Sequence, residues 1–152
     1  MEQSKLRTIR AKGTRQLAYL AGIIDGEGTI YIQHTQRGEY RLKLYVVNTY
    51  EPLIRWLQDN FDGLVYSRIS KKNPHWKRKW EWMSNAEILP EIIDYLIVKK
   101  EQAKLAIEFR KTFHQNRRPN ENDIVIRKKC FEEVKKLNNR VWLGATTKRK
   151  DT

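Results

Sequence analysis

The stretch from Leu20 to Gly28, Leu-Ala-Gly-Ile-Ile-Asp-Gly-Glu-Gly, constrains the fold more than any other part of the sequence. Good helix formers follow Thr14, a typical N-cap, and predict a helix from about Arg15 to Asp25. Gly22 weakens such a helix by roughly 1 kcal/mol relative to alanine, so its presence indicates a packing reason. Four residues recur at i, i+3, i+4 and i+7 and predict a face that another helix can approach closely: Ala18, Ala21, Gly22 and Asp25.

The predicted helix ends in an acidic, glycine-rich turn. Gly26 and Gly28 mark its end, and Glu27 lies between them, where unpaired carbonyl groups already make the potential negative. If two copies of the helix meet along the face of small residues, two Glu27 carboxylates and two Gly26 carbonyls converge into an all-oxygen cluster. Mg²⁺ and Ca²⁺ prefer such ligands, so the sequence predicts half of a metal site. The alternative is a tightly packed helix that ends in an acidic turn without a ligand.

The same nine residues resemble the signature motif of the LAGLIDADG homing endonucleases, from which they differ by conservative exchanges. The resemblance covers roughly Arg15 to Phe113. It implies an α+β fold with the order αββαββα, in which an antiparallel sheet forms a DNA-binding saddle. It also implies that Glu27 is the metal-binding carboxylate, that Gly26 lends its backbone carbonyl to the metal, and that Asp25 caps the partner helix.

Composition limits the classes of partner. The 152 residues suffice for one domain with a core, and a formal net charge of +13 favours a polyanion, most simply a nucleic acid. No long apolar run or signal peptide is present, so we expect a soluble protein in a prokaryotic or phage-infected cytoplasm or in an organelle. One cysteine, Cys130, excludes an internal disulfide and a cysteine-based zinc site, and we expect it in the core.

Alternating apolar and polar residues predict two strands after the motif, from Thr29 to Thr35 and from Arg41 to Val47, joined by a turn at Arg37-Gly38. One face of this hairpin is apolar and the other is polar and mostly basic. A two-stranded ribbon with such side chains suits the major groove of DNA. The expected DNA contacts of the hairpin are Tyr31, Gln33, Thr35, Arg37, Arg41, Lys43 and Tyr45.

A second pair of strands is predicted from Leu64 to Ser70 and from about Trp76 to Met83, after a helix that begins at Thr49 and ends at Gly63. We expect Trp80 and Trp82 in the core, with stacking on bases as the alternative. The expected DNA contacts of this pair are Tyr66, Arg68, Ser70, Lys77 and Lys79.

Apolar spacing predicts further helices at about 85–96, 99–113 and 123–137, with Phe113 and Ile124 among their buried residues. The periodicity alone therefore also reaches the order of helix, two strands, helix, two strands and helix. We expect one endonuclease domain at 14–141, between a basic arm at 1–13 and a basic tail at 142–152.

The motif occurs once, so one chain supplies half of the metal site and two chains are needed. A two-fold homodimer predicts a palindromic or nearly palindromic duplex target. The resemblance adds Asn48, which would position the water network, and Lys99, which would lie near the scissile phosphate. A basic residue that some relatives carry shortly after the Asn48 position has no counterpart, so either Arg55 or Lys100 compensates or the site uses fewer charges.

These features predict a site-specific, metal-dependent endonuclease that hydrolyses both strands of double-stranded DNA, with Mg²⁺ as cofactor and Ca²⁺ bound without supporting cleavage. Two alternatives stay open. An RNA maturase that assists intron splicing would use the basic face formed by Lys128, Lys129, Lys135 and Lys136. A non-cutting DNA-binding regulator would keep the fold, but it would have no need for paired Glu27 carboxylates.

Overall fold

A computed structural model describes residues 13–139 of the chain. The predicted basic tail and all but the last residue of the predicted basic arm lie outside the described residues. The elements in chain order are α1 (Thr14–Glu27), β1 (Gly28–His34), β2 (Tyr40–Asn48), α2 (Glu51–Phe61), β3 (Leu64–Arg68), β4 (Lys79–Ser84), α3 (Leu89–Ile92), a 3₁₀ turn (Ile93–Tyr95), α4 (Lys100–Arg110) and α5 (Glu121–Asn138).

The four strands form an antiparallel sheet in the order β1-β2-β4-β3. The first hairpin runs in register from the Gly28–Val46 pair to the His34–Tyr40 pair, and its turn contains Gly38 at a φ of 79°. The second hairpin joins the first through β4, which pairs with β2. The α+β class and the αββαββα arrangement are confirmed, with α3, the 3₁₀ turn, α4 and α5 all following the last strand.

The core lies between one face of the sheet and the helices, because the even-numbered residues of β1, β2 and β4 and the odd-numbered residues of β3 point to that side. Ile30, Leu44 and Val46 are buried there, and Trp82 is fully buried with its indole N–H donating to the Asp62 carbonyl at 2.6 Å. Trp80 packs partly buried against the same core. The expected inward facing of both tryptophans is therefore confirmed, and the opposite face of the sheet is left open.

A second apolar cluster attaches α5 to the sheet. It joins Ile32 of β1 to Phe109 of α4 and to Cys130 and Val134 of α5. Burial raises the pKa of the Cys130 thiol to about 11, so the thiol stays protonated and behaves as a small apolar group. The expected core position of Cys130 is confirmed.

The structure corrects several local expectations. The helix α1 begins at Thr14 with Gly13 as its N-cap, one residue earlier than expected. Strand β4 begins at Lys79 and not near Trp76, because Lys79 pairs with Arg68, the last residue of β3, and no strand lies opposite the residues before it. Trp76 therefore sits in a loop and is 58% exposed.

Two expected core residues lie at the surface. Phe113 lies beyond the end of α4 and is 53% exposed, with the Arg127 guanidinium 4.0 Å from its ring centroid, while Phe109 takes the buried position. Ile124 is half exposed because the inner face of α5 runs through Cys130 and Val134. The helix expected at 85–96 is reduced to α3 and the following 3₁₀ turn. None of the helices within 13–139 is long and apolar enough to cross a membrane.

Candidate active site and nucleic-acid interface

The junction of α1 and β1 fixes the position of the acidic turn. Gly28 is buried, and a Cβ on it would lie 2.7 Å from the Ile24 Cα and 2.9 Å from the Ile24 carbonyl oxygen. Only a residue without a side chain lets the chain pass so closely from helix to strand. The Gly28 N–H donates to the carbonyls of Ile23 and Ile24. Glu27 is therefore held as the last helical residue, exposed at the end of the sheet.

Asn48, the last residue of β2, donates a hydrogen bond from Nδ2 to a carboxylate oxygen of Glu27. Its Oδ1 accepts the Tyr50 backbone N–H at 2.7 Å. Because that N–H requires an acceptor, the amide can only present its NH₂ group to Glu27. The turn after β2 thus orients Asn48, and Asn48 orients the carboxylate.

The neighbouring acid, Asp25, is engaged within its own chain. Its two carboxylate oxygens accept the backbone N–H groups of Ile97, Val98 and Lys99 at 2.8, 3.1 and 3.0 Å. This set of three bonds ties the segment before α4 to the end of α1. The sequence placed Asp25 against a partner helix, whereas the structure shows it anchoring α4 of the same chain.

Lys99 lies at the same helix end. Its ammonium donates to the carbonyl oxygens of Ile24 and Asp25, both at 2.8 Å. These carbonyls belong to the last turn of α1, where a positive charge is favourable. Desolvation lowers the pKa of Lys99, and the Asp25 charge opposes that shift. The structure therefore places Lys99 beside the acidic turn, with its ammonium held by the helix terminus.

The exposed small residues of α1 are not the set that was expected from the sequence. Ala21 is fully buried in the core with Leu20 and Ile24, so it cannot line an exposed helix face. Ala18, Gly22 and Gly26 are exposed and recur every four residues. A Cβ added at Gly22 or Gly26 would meet no atom within 4 Å. We call Ala18, Gly22 and Gly26 the small-residue stripe.

The open face of the sheet carries most of the residues expected to contact DNA. The strand register places these side chains opposite one another: Tyr31 with Lys43, Gln33 with Arg41, Tyr45 with Met83, Tyr66 with Glu81, and Arg68 with Lys79. A concavity of about 510 Å³ lies over the middle of this face. Tyr31, Tyr45, Arg68, Lys77 and Lys79 are among its lining residues.

The remaining expected contacts lie in the loops that join the strands. Thr35 and Arg37 belong to the β1–β2 connection, where the Thr35 hydroxyl accepts the Glu39 N–H at 3.1 Å. Ser70 and Lys77 belong to the β3–β4 connection, where the Ser70 hydroxyl accepts the Asn73 N–H at 3.1 Å. Thr35 and Ser70 therefore shape their turns in addition to any contact with a ligand.

An ion pair in the middle of the open face was not expected from the sequence. Glu81 is only 8% exposed, and its carboxylate accepts a hydrogen bond from the Arg68 guanidinium. Burial, the neighbouring Tyr45 and the Glu81 charge together raise the pKa of the Tyr31 phenol. Because Trp80 and Trp82 were expected to face the core, Glu81 between them was expected on the open face. The sequence did not identify Arg68 as its partner, which follows only from the register of β3 and β4.

A smaller cleft of about 320 Å³ adjoins the acidic turn. Its lining residues are Glu27, Val47, Asn48, Thr49 and Lys79. Lys79 and Val47 also line the concavity over the sheet, so the two spaces meet at these residues. Arg55, one of the two basic residues expected to compensate here, is instead held by Glu51 at 3.2 Å and lies 5.4 Å from the Trp80 ring centroid.

The chain is similar to known proteins in sequence and in fold. The family model described as LAGLIDADG endonuclease matches residues 20–115, which is more than half of the chain. The search of curated proteins found no match.

Solved structures share the fold at low sequence identity. The archaeal intron-encoded homing endonuclease I-Vdi141I, complexed with DNA, is 15% identical with a TM-score of 0.65, over 84% of this chain and 87% of its own. The homing endonuclease I-CvuI, in complex with the I-CreI target in the presence of Mg, is 20% identical with a TM-score of 0.54, over 84% and 97%. The LAGLIDADG homing endonuclease I-LtrWI, bound to target DNA, is 17% identical with a TM-score of 0.51, over 81% and 43%.

Proposed function

This chain belongs to the LAGLIDADG endonuclease family, and we propose that it is a site-specific DNA endonuclease that cuts both strands of a long, near-palindromic duplex as a homodimer. The observation that carries the proposal is the placement of Glu27. Its exposed carboxylate ends α1, is oriented by Asn48, and opens into a cleft that meets the open, basic face of the sheet. A duplex on that face would bring a phosphodiester to the carboxylate.

The half-complete site supports the proposed homodimer. Within 13–139, no group of three or more His, Cys, Asp or Glu side chains is placed to hold a metal ion, so one chain contributes a single Glu27. The exposed small-residue stripe allows the α1 helices of two copies to approach closely and bring two Glu27 carboxylates together. Ile97 and Val98, which are 86% and 69% exposed, lie beside the end of α1 and would extend that interface.

The paired sheets of a homodimer would form one long saddle. Each half-site would then be read by the open face of one sheet, and the two-fold axis would make the target nearly palindromic.

We propose that Mg²⁺ is the cofactor and that Ca²⁺ binds without supporting cleavage. The donor set fits a hard cation, because Glu27 and the Gly26 carbonyl offer oxygen ligands. Bound Mg²⁺ would supply an activated water and stabilise charge on the scissile phosphate. Asn48 would hold the Glu27 carboxylate in one rotamer and position the attacking water, and Lys99 would add positive charge at the same helix end.

For the DNA interface we propose that the open-face residues read base edges and that the loop residues contact the backbone. Tyr31, Gln33, Arg41, Lys43 and Tyr45 stand on β1 and β2, in the geometry of a ribbon that enters the major groove. Arg37, Ser70 and Lys77 lie at the strand ends, where phosphates would pass. Thr35, Tyr66, Arg68 and Lys79 complete the set.

We further propose that 14–141 is one endonuclease domain, that the basic arm 1–13 contacts phosphates outside the main footprint, and that 142–152 is a solvated basic tail. The structure does not favour the maturase alternative. Lys129 is paired with Glu108 at 3.8 Å, Lys136 with Glu133 at 3.4 Å, and Lys135 lies over the Phe131 ring. The basic face of α5 therefore carries less uncompensated charge than its sequence indicates.

Selection on a randomised duplex library tests the proposed function. Purified protein is incubated with the library in Mg²⁺, in Ca²⁺ or in EDTA, and the cut ends are sequenced. We expect ends from both strands of one nearly palindromic site in Mg²⁺, with binding but no ends in Ca²⁺. Enrichment of a bound site without cut ends in Mg²⁺ would refute the endonuclease and leave a DNA-binding protein.

A further inference from the structure

A cation that the family motif does not mark lines the cleft at Glu27. Lys79, the first residue of β4, lines this cleft together with Glu27, Asn48 and two uncharged residues. It also lines the concavity over the open face of the sheet. Lys79 therefore stands where a DNA backbone on the sheet would pass into the cleft.

Two other basic residues expected near the site, Lys99 and Arg55, are held by other groups. The Lys99 ammonium donates two of its three N–H groups to the carbonyls of Ile24 and Asp25 at 2.8 Å, which hold it at the helix terminus. The Arg55 guanidinium is held by Glu51 and the Trp80 ring. Neither is among the residues that line the cleft.

Lys79, by contrast, is loosely held. It is exposed, and no carboxylate within the described range 13–139 forms an ion pair with it. Its ammonium lies 5.8 Å from the ring centroid of Trp76, itself more than half exposed, and such exposed cation–π contacts contribute little. The side chain can therefore turn toward a phosphate at small cost, while its backbone is fixed by the pairing of β4 with β3.

We propose that Lys79 is a catalytic residue, whose ammonium contacts the scissile phosphate next to Glu27 and stabilises the negative charge that develops there during hydrolysis. The proposal rests on the proposed endonuclease function and gives Lys79 a role beyond affinity. A cation placed at the reacting phosphate favours the transition state over the bound substrate, so its loss slows the chemical step. A cation that only neutralises a backbone phosphate changes affinity and salt dependence instead.

Single-turnover kinetics separates these two roles. The experiment compares four full-length proteins: the native protein, Lys79→Gln, Lys79→Arg and the control Lys111→Gln. Each is mixed in Mg²⁺, in excess over the duplex recovered from the library selection, and the cleavage rate constant is measured at saturating protein. Dissociation constants are measured in Ca²⁺ at two salt concentrations. Lys111 is an exposed lysine at the end of α4 and matches the loss of charge.

We expect the saturated rate constant of Lys79→Gln to fall by about 100-fold, the size of effect seen when one transition-state donor is removed. Its dissociation constant should rise by less than about tenfold, Lys79→Arg should recover most of the rate, and Lys111→Gln should match the native protein. A native rate constant for Lys79→Gln at saturation, with only weaker and less salt-dependent binding, would overturn this inference alone. Failure of the native protein to cut the duplex would overturn the endonuclease proposal first and this one with it.

Discussion

Replacing Gly22 with alanine should stabilise the monomer and weaken the dimer. Gly22 lies in the interior of α1, is exposed, and has no atom within 4 Å of the position where a Cβ would be added. Alanine in a helix interior is more favourable than glycine by about 1 kcal/mol. In a protein of this size that gain corresponds to a rise in Tm of about 2–4 °C.

The same methyl group has the opposite effect on association if the small-residue stripe is the dimer interface. A side chain at Gly22 would separate two helix backbones that approach across the two-fold axis, and the lost contacts recur in both copies. We expect the dimer dissociation constant to rise at least about tenfold, which corresponds to about 1.4 kcal/mol. Cleavage at a fixed protein concentration should fall accordingly.

Two measurements check this pair of effects. Urea unfolding below the dimer dissociation constant reports monomer stability, and sedimentation velocity across a concentration series reports association. Glu132→Ala, on the exposed side of α5, provides the matched control, because it changes a helix surface away from the stripe. Native association of Gly22→Ala, together with the stability gain, would show that this face of α1 does not contact a second copy.

Three further changes test the local structure. Gly28→Ala should lower the free energy of unfolding by about 1–3 kcal/mol, since its Cβ would collide with the Ile24 backbone; urea unfolding measures this. Asp25→Asn should cost about 2 kcal/mol in the same assay, because an amide replaces a carboxylate that accepts three backbone N–H groups. The Asn120 N–H above all, with His114 and Arg117, holds the pKa of Asp123 below its ordinary value of 3.8. The ionised Asp123 carboxylate therefore stabilises the folded state at neutral pH. This contribution is lost as the pH falls through the folded-state pKa. Urea midpoints measured from about pH 6 down to about pH 3 should therefore fall more steeply for the native protein than for Asp123→Asn.

The first two expectations have control variants, and a stated outcome would contradict the third. Gly26→Ala adds the same methyl group where no atom of its own chain lies within 4 Å, so in urea unfolding of the monomer, below the dimer dissociation constant, it should not reproduce the loss caused by Gly28→Ala. Asp59→Asn removes an exposed charge on α2 and should leave the unfolding free energy nearly unchanged, in contrast with Asp25→Asn. Parallel pH profiles for the native protein and Asp123→Asn would contradict the linkage expected from Asn120.

The fold was predictable where local signals and burial agree. Alternation over 29–35 and 41–47 identified the first hairpin because each strand has one buried and one open face, and a one-residue shift would expose Ile30 and Leu44. The inward facing of Trp82 followed from the size of the apolar surface it buries. These are properties of single strands, and one sequence is enough to reveal them.

The errors arise where a residue's environment depends on a distant part of the chain. The start of β4 is set by the length of β3, so the sequence around Trp76 cannot show that no strand lies opposite it. Ala21 fits the small-residue pattern equally well, and only the packing of α1 against the sheet shows that it faces the core. The engagement of Asp25 with the segment before α4 joins residues more than 70 positions apart and has no local signal.

The most direct test of the account is the cleavage rate of Glu27→Gln on the selected duplex. The substitution keeps the shape of the side chain and removes the carboxylate that the geometry places beside Asn48 and Lys79. With saturating protein in Mg²⁺, we predict that cutting of both strands falls by at least about 1,000-fold, while the dissociation constant in Ca²⁺ stays within about tenfold of the native value. Cutting by Glu27→Gln at the native rate would contradict the assignment of this turn as the catalytic centre.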